Sequence, residues 1–298
     1  MYISDLLGLG LKGHANFDFA DLFQGNDTKL FIDPLAIENC TCNWCESANL
    51  YIQSFFNSLF QALKTDAPSI VQLLAHAKEQ NATKMGYGNG YNGKGKTADG
   101  LKKSLSDLKV LIKDIPTISR PEDLPVLVKR FDKDCMSDLL ANILHDSLNM
   151  FTASQMNIYG KKSDCERTFS TWDIDTLSWI QVTRPSWSYN GRELLLVPKH
   201  IIRKHFMFST EKYLQSVIVE RIRESRNLQE KKRDIIDNLP KPNEHWRYDT
   251  VVRYTMKHPD ALVEYHDLLP KKYNKGGSMD NEQLDEVIYR YPVYGHRL

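Results

Sequence analysis

Residues 132–152 read DKDCMSDLLANILHDSLNMFT. At helical spacing Leu139, Leu140, Ile143, Leu144 and Leu148 make one apolar face, and Asp134, Asp138, Asn142 and Asp146 follow as a polar stripe at i, i+4, i+8 and i+12. The spacing predicts a single amphipathic helix over the whole stretch. Its stripe is either the wet side of a surface helix or a file of oxygens for a cation or a phosphate. His145 flanks that stripe beside Asn142 and Asp146.

Before this helix, TKLFIDPLAI reads as a short buried strand that ends at Asp33-Pro34. A carboxylate there either forms a turn or projects into a site. Next comes CTCNWC, with Cys40, Cys42 and Cys45 inside six residues. Three thiols suffice to grip a soft metal if Cys135, Cys165 or a histidine supplies a fourth ligand. The alternative is ordinary reduced cysteines. Residues 46–65 and 68–80 read as amphipathic helices, with Ser47 or Asp66 as caps and Glu79 at the end of the second. Phe55, Phe56, Leu59, Phe60 and Leu63 form a stripe suited to a core.

The stretch from Gly86 to Gly100 is rich in glycine and lysine, and GYNGKGKT at 90–97 matches the Walker A pattern, with Lys96 and Thr97 in its diagnostic places. The polar residues that precede it lack the buried strand a phosphate loop requires. Lys84, Lys94 and Lys96 with Tyr87 and Tyr91 suit either contact with a nucleic acid or nucleotide, lysines on phosphate and tyrosines on a base, or an ordinary mobile surface loop.

After the 132–152 helix the period shifts toward strands. SWIQVTRP is expected to pair with RELLLVPK across a turn near Ser188–Gly191. Lys199 then stands at a strand end, where it holds an anion or caps the next segment. From about residue 205 the chain turns helical and charged. The expected fold is therefore α+β, predominantly helical with a small mixed or antiparallel sheet. It is divided into a 1–205 core domain and a 206–298 charged helical region.

Hydrophobic residues make up 41% and charged residues 26% of the 298, as in folded globular domains. Lys plus Arg is 39 and Asp plus Glu 38, a net charge of +1, so nucleic-acid contact must come from a local patch. No secretory signal and no membrane-length apolar run is present, and five cysteines is an odd number. These features suggest a cytoplasmic protein with reduced thiols and no membrane partner.

Asp33, Glu79, Asp134, Asp138 and Lys199 together suggest metal-dependent phosphodiester hydrolysis. In that reading Mg²⁺ sits on Asp33, Asp134 and Asp138, while Lys94 and Lys96 hold phosphate. The comparison with PD-(D/E)XK nucleases fails, because Glu193 and Lys199 are six residues apart instead of two. LFIDP, DCMSDLLANIL and ELLLVPK resemble uncharacterised bacterial proteins from mobile-element and phage-defence gene neighbourhoods, across the first two thirds of the chain. That resemblance implies a defence or nucleic-acid role and assigns no residues. Two functions are thus expected: a Mg²⁺-dependent nuclease-like enzyme, or a non-catalytic binding subunit of a larger complex, with nucleic acid and a protein as partners.

Overall fold

The Asn43–Thr65 helix is the longest described element, and its inner face carries Cys45, Ala48, Ile52, Phe55, Phe56, Leu59, Phe60, Ala62 and Leu63, all buried. The apolar stripe read from the sequence packs here. Phe55 meets Trp172 edge-on at 5.1 Å, and the Trp172 indole N–H donates to Ser54 Oγ at 3.2 Å. A computed structural model describes residues 1–76, 80–87, 108–226 and 229–289. Within these the chain is α+β and mainly helical, with three two-stranded antiparallel sheets. One hydrophobic cluster extends from Ile3 to Ile288. No described helix is long and apolar enough to cross a membrane.

The 132–152 stretch forms two helices, Lys133–Ile143 and His145–Ile158, that meet at Leu144. The cause of the break is a tertiary contact. The Thr171 hydroxyl donates to the Ile143 carbonyl at 3.1 Å and accepts from the Asp146 N–H at 3.3 Å. A strand side chain thereby takes both backbone groups that a continuous helix would have used. The predicted stripe is split: Asp146 accepts from Arg184 Nε at 2.8 Å and Nη2 at 2.9 Å, while Asp134 and Asp138 face the 80–87 segment. Asp132 caps the first helix, its Oδ1 accepting from Cys135 N–H at 3.1 Å. Asp132→Ala is expected to lower the unfolding free energy in urea by about 1 kcal/mol.

The hairpin also differs from expectation. Ser178–Ser186 pairs upstream with Cys165–Asp173, Trp179 opposite Trp172, around a turn in which Asp173 Oδ2 accepts from the Thr176 N–H and hydroxyl. Leu194–Val197 is buried but makes no ladder. Its backbone bonds Trp187, Ala82, Thr152 and Ala20 in turn. A run apolar at every position is satisfied by burial on all sides, so its composition selects no strand partner.

The strand predicted at LFIDP is short. Phe31–Ile32 pairs antiparallel with Ile202–Arg203, Ile32 opposite Ile202, and Asp33 N–H extends the pairing to the Ile201 carbonyl at 2.9 Å. This pairing joins the CTCNWC segment to the residues around position 200.

Candidate metal centre

The Pro34–Glu38 helix leaves the first of those strands and delivers Cys40 and Cys42 to the start of the Asn43–Thr65 helix. Cys42, not Ser47, is the N-cap, and its Sγ accepts from the Cys45 N–H at 3.5 Å. Asp66 sits at the other end as the C-cap, in left-handed backbone. From the paired segment, the 3-10 turn Lys199–Ile201 presents His200. Its Nε2 lies 3.3 Å from Cys45 Sγ and 3.6 Å from Cys42 Sγ, across 155 and 158 residues of sequence. Cys40 Sγ is 3.3 Å from Cys42 Sγ.

All four ligand atoms lie within 4.8 Å of one another. A tetrahedral zinc with Zn–S of about 2.3 Å and Zn–N of about 2.0 Å sets S···N near about 3.5 Å and S···S near about 3.8 Å. The two S···N distances bracket that value, and the short S···S pair has only to open slightly. The donor set is three soft thiols and one imidazole, the set for zinc and unsuited to Mg²⁺. Burial holds His200 below its ordinary value, and so in the neutral form that ligates; the charge of Asp18 opposes this shift and that of Lys199 adds to it. Burial pushes the Cys42 thiol up. The N–H of Cys45 and the neighbouring thiols and amides outweigh that push and lower it overall. The 23-residue helix points the Cys45 N–H at the Cys42 sulfur, which favours thiolate there, whereas burial and then the neighbouring Cys40 and Cys42 thiols push the Cys45 thiol up.

The family description "Domain of unknown function (DUF8370)" matches residues 8–209. The chain belongs to the DUF8370 family. The four ligands all fall inside the DUF8370 span. No curated protein and no solved structure matches the chain.

The acidic residues singled out in the sequence occupy other places in the DUF8370 fold. Asp33 is buried at the N-cap of Pro34–Glu38, where Oδ1 accepts from Leu35 N–H at 2.9 Å. Its Oδ2 lies 3.4 Å from Arg203 Nε, yet neither atom makes a hydrogen bond. Burial therefore raises the Asp33 carboxyl to about 6 against the pull of Arg203. Asp138 accepts the Gln80 N–H and Asp134 the Tyr87 N–H, each at 3.3 Å. A Cβ on Gly86, whose φ is 121°, would meet Asp134 Oδ1 at 2.6 Å, so glycine is needed for that anchoring. Lys199 Nζ donates to the His14 carbonyl. Among the described residues, the Cys/His cluster is the one group of three or more potential ligands drawn this close; Asp33, Asp134 and Asp138 are not. Glu79, Lys94, Lys96 and the Walker-like 90–97 stretch lie outside the described residues.

His145 is half of a second pair. Its Nε2 is 3.1 Å from Glu193 Oε1, its Nδ1 is 3.3 Å from Gln80 Nε2, and its ring stacks on Phe169 at 3.9 Å. With Gln80 on one nitrogen and Glu193 on the other, this imidazole joins the 80–87 segment to Arg192–Glu193. The thiol cluster was visible in the sequence as CTCNWC; no local signal marked His200 out from the other eight histidines.

Proposed function

We propose that this DUF8370 protein is a zinc-binding protein whose Cys40/Cys42/Cys45/His200 centre is a structural clamp, and that it works as a binding subunit in a nucleic-acid setting. The convergence of four protein ligands is the observation that carries the metal reading. A closed set of four is the pattern of structural zinc, since catalytic zinc keeps a position for water. The binding role is supported by what the candidate catalytic acids do. Asp33 caps a helix, and Asp134 and Asp138 hold the 80–87 segment. Mg²⁺-dependent hydrolysis would need those three carboxylates to share an ion. Calorimetric titration of Mg²⁺ into wild type and Asp138→Ala separates the two readings, because heat that vanishes in the variant would support the hydrolase.

The direct test is metal analysis of protein purified without added metal. One equivalent of zinc per chain is expected in the wild type, and substoichiometric zinc in His200→Ala and Cys42→Ser. Cobalt substitution should give the visible absorption of tetrahedral thiolate-bound Co²⁺. Full zinc occupancy in both variants would overturn the assignment.

A further inference from the structure

The segment that carries His200 continues through Arg203, Lys204, His205 and Phe206 to the helix that opens at Thr210. There it helps to line a cleft of about 730 Å³, a size that suits a small-molecule ligand. Lys129, Arg130, Lys133 and Lys212 face the same space, against the two carboxylates of Asp132 and Glu211. Neither carboxylate makes a close ion pair with those cations, although the charge of Asp132 acts on Lys133. Asp132 caps its helix, and Glu211 accepts from Gln215 at 3.1 Å and lies 3.8 Å from Arg247. None of the four cations makes a close ion pair among the described residues; Lys212 Nζ donates to the Phe206 carbonyl and feels the more distant charge of Asp33.

The cations are also crowded. Lys133 Nζ is 3.3 Å from His205 Nδ1 and donates to the Lys204 carbonyl at 2.6 Å. Burial, and then the charges of Lys133, Lys204 and Lys212, hold His205 below its ordinary value. Burial lowers Lys133 and Lys212 as well, against the pull of Asp132 and Asp134 on the first and of Asp33 on the second. Concentrating positive charge in a concavity is unfavourable until an anion enters, and the same field then attracts that anion.

Rings accompany the charges. Lys133 Nζ lies 5.6 Å from the Tyr87 ring centre and Lys129 Nζ 6.0 Å from that of Tyr248, both of which line the cleft. Tyr87 is 48% exposed, and the Asp134 carboxylate holds its backbone in place. An aromatic face beside a lysine matches a base joined to its phosphate, whereas an acidic peptide or a lipid headgroup would leave the rings unused.

We propose that this cleft binds a nucleoside phosphate, free or as one unit of a single strand, with phosphate on Lys133, Lys212 and Arg130 and the base on Tyr87 or Tyr248. This names the ligand of the binding role inferred above and does not depend on the metal.

The test uses full-length protein whose zinc content has been measured. Anisotropy of labelled single-stranded poly(dT) and poly(rU) is read directly, and nucleoside triphosphate and tripolyphosphate serve as competitors. Lys212→Glu places glutamate three residues after the Ser209 cap, which completes a capping box, but it also removes the Lys212 Nζ donation to the Phe206 carbonyl, so the urea unfolding of the variant is measured beside its binding. Lys129→Glu reverses a second cleft charge. Each reversal is expected to weaken binding at least about tenfold and to reduce the salt slope by about one. Arg233→Glu reverses a side chain that is 89% exposed and outside the cleft, and should change neither. Strand binding without competition by the triphosphate identifies a nucleic-acid site; tight triphosphate binding identifies a nucleotide site. No binding by zinc-replete protein, or binding indifferent to both cleft reversals, overturns the proposal while leaving the metal centre standing. Tripolyphosphate binding that equals the triphosphate's and survives Tyr248→Ala and Tyr87→Ala overturns its nucleoside part.

Discussion

Removing the metal should cost this protein a large part of its stability. A ligand that binds the folded state alone stabilises it by about 4 kcal/mol when its free concentration is a thousand times its dissociation constant. Folded domains have only about 5–15 kcal/mol in total. Cys45→Ser is the sharpest variant, because Cys45 is fully buried at the base of the Asn43–Thr65 helix and its Sγ lies 3.3 Å from His200 Nε2. Urea unfolding of zinc-loaded protein should show a loss of several kcal/mol in Cys45→Ser, and chelation of the wild type should show a loss of similar size. Once the wild type has been chelated, the two proteins should unfold nearly together. Cys135→Ser changes a thiol outside the cluster and should leave the chelator effect intact. If a chelator does not move the wild-type transition, the clamp has no structural role.

Glu122 should set the slope of stability against pH. It is fully buried, and burial, with the nearby charges of Glu38, Asp123 and Asp33, raises its carboxyl to about 8. The unfolded chain titrates this group near 4.5, so between 4.5 and about 8 the folded state binds the extra proton. The stabilisation from the protonated carboxyl is therefore complete below 4.5 and lost as pH rises through about 8. At about 1.4 kcal/mol per unit, the window is worth on the order of 5 kcal/mol. Glu122→Gln keeps the shape and removes the charge. The variant should match the wild type at pH 4 and exceed it by several kcal/mol at pH 8.5, measured by urea unfolding. Zinc binding runs the other way, since protons displace metal from thiolates at low pH, so the informative quantity is the difference between variant and wild type. Equal stability of the two proteins at pH 8.5 would show that Glu122 is not held protonated. Asp33, raised to about 6, adds a smaller slope of the same sign between 3.8 and 6 in both proteins.

Much of the fold was legible locally. The apolar period of residues 46–65 led to the right helix and the right buried face, because a stripe repeating at helical spacing has one way to be buried. Its cap was missed because a cysteine at the N-cap is unusual, and its sulfur there accepts an N–H as serine would. The helix at 132–152 was right in composition and wrong in continuity. The Thr171 hydroxyl that breaks it comes from a strand distant in sequence.

By itself the sequence determined the features that spacing along the chain controls: a mainly helical α+β protein, a core-facing aromatic helix, and three thiols close enough to share an ion. The tertiary structure alone decided which histidine completes that set, because the pairing of Phe31–Ile32 with Ile202–Arg203 brings His200 to the cysteines. It also decided that Asp33, Asp134 and Asp138 anchor backbone, and that Lys129, Lys133 and Lys212 face one cleft. A side chain's chemistry belongs to its residue, but its partners are set by which distant segments the buried core brings together.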